Sequence, residues 1–322
     1  MADATSAHSH EDEAATHNGH GDAHHAHDPL DAGHLIGHVK DAPHFEVPRW
    51  MGEGGKIHLP QPLIRDEPIA EIKIGFDPID QRIEPFELKF TKFMFLEVVA
   101  AVVLVLLLTR VASKVKRDGA AKGPLTNAIE AIVVFIRDKV AEPAIGHHDA
   151  AKFLPFLLTM FFFILACNLL GMVPWAGSAT GALATTGALA FITFAAVVGA
   201  GMVKLGPVGF WTGQVPHMDL PLPLAILLKP MIFLIEVLGM FIKHFILAMR
   251  LLANMMAGHL VLAVIVAFIA ASAGSIAWYA VAPASVLGSV ALSLLELFVA
   301  FLQAYIFTFL SALFIGMAVH PH

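Results

Sequence analysis

Two apolar stretches near the C-terminus are too long to stand upright in a bilayer, and this limits the possible folds more than any other feature. Met231 to Ala271 is 41 residues without proline, and Pro283 to Val319 is another 37. As continuous helices they would measure about 60 Å and about 55 Å at 1.5 Å per residue. About 20 residues already cross the hydrocarbon layer, and tilts of up to about 40° do not absorb the excess. Each segment is therefore either broken or steeply oblique. Gly274 and Pro283 flank a turn, which predicts an antiparallel hairpin.

Composition agrees with a membrane body. The 322 residues are 57% hydrophobic and 14% charged, with a mean hydropathy of +0.73. Soluble domains run at about 45–50% apolar and about 25% charged, so a soluble two-domain enzyme is excluded. The charge is unevenly spread: residues 1–92 hold 8 basic and 17 acidic side chains, a net of −9. Residues 93–322 hold 12 and 9, a net of +3, and the two parts sum to the chain's −6.

The pattern predicts an all-α polytopic membrane protein with about five membrane helices, over residues 93–112, 153–173, 181–203, 231–271 and 283–319. A further helix over 124–145, opened by Pro124, mixes Val133, Val134, Phe135 and Ile136 with Arg137, Asp138 and Lys139. It reads as an amphipathic helix on the cytoplasmic surface. Arg110, Lys114, Lys116, Arg117 and Lys122 follow the first span and place that loop in the cytoplasm. The N-terminus is then extracytoplasmic and the C-terminus cytoplasmic. Residues 1–44, with ten of the chain's 18 histidines and few aromatics, read as a disordered acidic tail. No cysteine completes a metal site there, so metal binding is left open and a solvated, pH-responsive tail is expected. Residues 45–92 read as an extracytoplasmic cap, with a short hairpin or an extended segment expected over 68–90. The start has no apolar signal segment and carries Glu11, Asp12 and Glu13, which points to a bacterial inner membrane. Cys167 reads as a small buried residue. No cofactor and no nucleic acid is implied.

Residues 230–322 contain four Asp, Glu, Lys or Arg side chains: Glu236, Lys243, Arg250 and Glu296. A charge at the bilayer centre costs roughly 2.5–3.5 kcal/mol on the lenient insertion scale, so such residues face a partner or a water path. Glu236, Lys243 and Arg250 recur every seven residues and share a helix face. Asn254 is one turn beyond Arg250 on that face. His259, nine residues on, turns about 180° away. Glu296 and Gln303 are again seven apart. Plainer readings exist: Lys243 could snorkel to the interface, His259 could be a bonded interior histidine, and Asn254 and Gln303 could join helix to helix. Arg250 resists them, because a permanent cation with no acid within a turn needs a carboxylate from elsewhere.

The run Met249–Leu260, MRLLANMMAGHL, resembles the arginine signature of subunit a of F-type ATP synthases. Leu295–Leu310, LELFVAFLQAYIFTFL, looks like that family's last helix, and Asn168–Pro174, NLLGMVP, is similar to the end of its second span. The resemblance covers residues from about 90 to 322. It implies a stator whose last two helices lie obliquely against a ring of c subunits, with b-type peripheral stalk subunits and, indirectly, the F1 sector as further partners. Arg250 matches the arginine facing the ring carboxylates. Asn254 and Gln303 match polar residues of the outer half-channel, His259 and Glu296 a His/Glu couple, and Glu236 and Lys243 positions at the cytoplasmic outlet. Ile246 departs from the pattern, which has a small hydroxyl residue there. The implied function is non-catalytic proton translocation coupled to ATP synthesis. The rival is a secondary transporter binding a small anion at Arg250, which the lack of an internal repeat disfavours.

Overall fold

The computed structural model describes residues 42, 44–46, 56–59, 91–118, 123–173, 177–215 and 222–320, without the side chains of 44, 46, 56, 58, 118 and 222–226. The expected tail, apart from Ala42 and His44, and the hairpin or extended segment expected over 68–90 lie outside those residues. In the described part of the cap, His44–Glu46 (β1) pairs antiparallel with Lys56–His58 (β2), His44 opposite His58. His44, assigned above to the tail, thus belongs to a ladder. The Lys92 amide donates to the Ala42 carbonyl at 2.9 Å, tying this segment to the first long helix.

Among the described residues, five helices are long and apolar enough to cross a membrane. The first, α1, is Lys92–Asp118, and it runs past the expected end at 112. Lys and Arg are good helix formers, and Lys116 and Arg117 in the last turn oppose the helix dipole. The surface helix is interrupted: α2 (Pro124–Ile136) passes through a π-turn, Arg137–Ala141, into a short α3 (Glu142–Ile145). Ile129, Ile136, Val140 and Ile145 are buried, so one face is packed as its amphipathicity requires. Gly146, at φ 95° and ψ 147°, makes the corner into α4 (His147–Gly171), a conformation nearly closed to other residues. After a 3-10 turn at Ala179–Gly181 come α5 (Leu183–Leu205) and α6 (Pro207–Gly213).

The last two helices, α7 (Leu222–Ala271) and α8 (Trp278–Val319), are 50 and 42 residues long and unbroken. Both begin before the expected starts at 231 and 283, and Pro230 and Pro283 lie inside them. An interior proline costs about 3 kcal/mol through one lost hydrogen bond and a clash. A helix end in lipid leaves up to four unsatisfied backbone groups, at several kcal/mol each. Continuing through the proline is the smaller penalty. The hairpin is antiparallel: His244 meets Phe314, Asn254 meets Gln303, His259 meets Glu296, and Ile265 lies beside Gly288.

The core lies where α4, α5, α7 and α8 meet, around Leu157, Ile164, Leu247, Leu251, Phe307 and Ile315. Lipid is as apolar as leucine, so helices there associate through close packing. On α8, Ala300, Ala304, Thr308, Ala312 and Gly316 recur every four residues, and a methyl on Gly316 would overlap the Ala144 carbonyl of α3. Large apolar side chains point outward from α7 and α8, among them Leu234, Phe245, Leu287, Leu294 and Phe298.

Candidate functional site

Every candidate residue lies on α7 or α8, where helix periodicity fixes its direction. Glu236, Lys243 and Arg250 fall on one face of α7; the first two are exposed and Arg250 is half-buried. Among the described residues Arg250 makes no ion pair. The structure supplies no local counter-ion for this cation.

Towards the hairpin turn the polar side chains interlock. Asn254 donates its amide to the Gln303 carbonyl oxygen at 3.0 Å. Gln303 is 2% exposed, and its own amide nitrogen has no acceptor among the described residues. The Nδ1 of His259 lies 2.9 Å from Oε1 of Glu296 and 2.9 Å from the Met255 carbonyl, and its Nε2 lies 2.9 Å from the Gly171 carbonyl. All three neighbours of the ring are acceptors, so both nitrogens are placed to donate. Gly258 makes the room: a methyl there would stand 3.0 Å from the same Glu296 oxygen. Periodicity put Asn254 and His259 on different sides of α7, yet both reach the single polar face of α8 that carries Glu296 and Gln303.

That cluster continues into α4. Asn168, fully buried, donates to the Ala300 carbonyl at 3.3 Å and accepts from the Thr180 hydroxyl at 2.8 Å. Ser178 joins Thr180 at 3.0 Å, and Gly171 must be small because a methyl there would strike Ser178. Nearby, the Thr185 hydroxyl of α5 donates to the half-buried Glu97 of α1.

On the other side of Arg250 the structure opens. A cavity of about 640 Å³ is lined by Glu236, Lys243 and His244 from α7, Phe314 and Gly316 from α8, and His320 beyond it. Behind His320, the buried Asp149 of α4 pairs with Lys152 at 2.8 Å and with Lys204 of α5 at 2.7 Å, and His320 lies 3.8 Å away. No group of three metal-ligating side chains occurs among the described residues.

Comparison with known proteins decides the family. Residues 94–316 match the family model described as ATP synthase A chain. The chain is 39% identical to ATP synthase subunit a of Chloroherpeton thalassium over 298 residues, 91% of this chain and 78% of that one. It is 43% identical to that of Myxococcus xanthus over 242 residues, 73% and 76% of the two chains. The chain belongs to the ATP synthase A chain family. As a family member it is a multi-pass bacterial membrane protein and a membrane component of an F-type ATP synthase. Several polar contacts of this family member carry no mark in the sequence. The Gly171, Met255 and Ala300 carbonyls have no side-chain signature, and Ser178 and Thr180 look like ordinary turn residues. Asn168 was visible only through its motif.

Proposed function

We propose that this chain is the non-catalytic stator that conducts protons to and from a rotating ring of c subunits. The observation that carries this reading is the placement of Arg250. It is unpaired within the described residues, with a close His/Glu pair about 13 Å further along α7 and an open cavity about 9 Å back, at 1.5 Å per residue. A permanent cation between two polar sites suits a barrier between two half-channels.

Protons arrive from the extracytoplasmic side past Glu97 and Asn168 to His259 and Glu296. An imidazole beside a carboxylate hands on protons readily, because its ordinary pKa of about 6.5 is close to working pH. Near Asn254 and Gln303 a ring carboxylate takes the proton. Neutralised, the carboxyl enters lipid at much lower cost. After nearly a full turn it reaches the inner cavity and releases its proton past Glu236 and Lys243. Arg250 favours the ionised carboxylate and repels a proton crossing directly. The outward apolar faces of α7 and α8 are available to the ring and to lipid. Peripheral-stalk b-type subunits and the F1 sector complete the complex, with the N-terminus outside, the C-terminus in the cytoplasm, and ATP chemistry elsewhere.

The test is Arg250→Ala in inside-out membrane vesicles. ATP-driven acidification should be abolished while passive proton leak through F1-stripped membranes persists or rises. Unchanged pumping would sink the reading. Solute uptake without a co-purifying ring would instead favour the anion carrier.

A further inference from the structure

His244 is a buried titratable side chain that the half-channel reading leaves without a task. Its residue is 5% exposed. The ring is clamped edge-on to Phe194 of α5, with centroids 5.3 Å apart, and packs against Phe314 of α8 at 5.1 Å. Its Nδ1 lies 2.8 Å from the Met240 carbonyl. A carbonyl oxygen only accepts, so Nδ1 carries the hydrogen and the neutral ring presents Nε2 as a bare lone pair. That nitrogen is buried and has no partner among the described residues. A buried polar atom without a partner is destabilising, and a simple packing role would be filled better by phenylalanine. His244 also lines the 640 Å³ cavity, far larger than the roughly 10–15 Å³ that one water needs.

We propose that His244 is a relay residue of the inner half-channel: when its ring tips into the cavity that it lines, the otherwise buried Nε2 takes a proton released by the ring carboxylate and returns it to cavity water beside Glu236. This rests on the half-channel reading and adds a residue to it. The step balances without a flip that exchanges the two nitrogens, because the proton that arrives on Nε2 also leaves from Nε2, while Nδ1–H stays on Met240. The charged and titratable groups around the cavity set the direction. On α7 these are Glu236 and Lys243; beyond α8 it is His320, with Asp149 of α4 behind it. The parts of α5 and α8 packed on the ring, Phe194 and Phe314, are uncharged. The Glu236 carboxylate on the cavity wall offers the proton an onward acceptor. The arrangement passes protons on and does not trap them.

The experiment uses vesicles containing the whole complex. His244→Phe keeps the aromatic packing and removes the lone pair. Passive proton conductance of the F1-stripped membranes should fall about tenfold. That is below the roughly 10²-fold of a positioned acid–base group, because cavity water carries part of the flux. Imidazole added to His244→Ala vesicles should restore conductance, with a pH profile following the added base; benzene, which only fills space, should not. If His244→Phe fails to assemble, His244→Gln is read instead, as an amide that does not titrate. Wild-type conductance in either assembled variant, equal rescue by benzene, or loss of assembly in both would overturn the relay. Arg250→Ala in parallel separates the two failures. If it pumps normally the half-channel reading has failed, and if only the His244 variants are silent the relay alone has failed.

Discussion

His259 and His244 sit on the same helix, one on each side of Arg250, and their rings are held in contrasting ways. His259 has an acceptor at every nitrogen: a carboxylate and two carbonyls, each at 2.9 Å. His244 has one carbonyl at Nδ1 and nothing at Nε2, beside a cavity that water fits. The first site is a dense network, reaching through Gly171 to the helix that carries Asn168 and Thr180. The second is a hollow bounded by charged side chains. On the proposed half-channel reading, the two halves of the path do not need the same construction. A network holds protons at defined atoms, whereas a hollow relies on solvent and needs only a residue to start the transfer.

Substitutions separate the two constructions. The largest effect is expected at Gly316, on the wall of the hollow, because its added methyl meets the backbone carbonyl of Ala144, which cannot swing aside. Overpacking of this kind costs about 1–3 kcal/mol and more when backbone must move. Gly316→Ala should deplete the subunit from the assembled complex on native gels; normal yield would mean that the wall yields easily.

Next come the members of the network. Glu296→Gln and His259→Gln should each slow ATP-driven pumping by roughly 10–10²-fold, in keeping with loss of one acid–base group. The double variant should be no slower than the worse single one, because coupled residues are not additive. Full additivity would assign the two residues separate tasks.

The smallest effect is expected at Gly258. A methyl there stands 3.0 Å from Oε1 and 3.2 Å from the carboxyl carbon of Glu296, the far end of a flexible side chain. Gly258→Ala should assemble normally and pump only a few-fold more slowly, a loss of about 1 kcal/mol at 1.4 kcal/mol per factor of ten. Loss of assembly would show that the network is as rigid as the wall.

The two regions also differed in how far the sequence disclosed them. Hydropathy located all five long helices, and the seven-residue spacing of Glu236, Lys243 and Arg250 placed them on one face. Periodicity on α7 alone did not show which polar side chains α8 reaches, because it does not show how a partner helix wraps. The five-residue step from Asn254 to His259 points them apart, yet α8 reaches both. His244 escaped notice because it is off the seven-residue series and its significance depends on an unfilled nitrogen. The starts of α7 and α8 were misplaced because proline was read as a stop, a rule from water that weakens where exposed backbone costs more.

The cross-hairpin contacts also make the chain intolerant of insertions in a position-dependent way. Asn254 meets Gln303 and His259 meets Glu296, so five residues on one helix are matched against seven on the other. One residue added inside either interval would turn everything beyond it by about 100° and advance it by 1.5 Å, separating one pair while keeping the other. An extra residue in the turn at 272–277 lies outside both intervals and leaves the spacing on each helix unchanged. The hairpin thus behaves as a ruler with two engraved marks, and length variation in a chain built this way is confined to the turn and the ends.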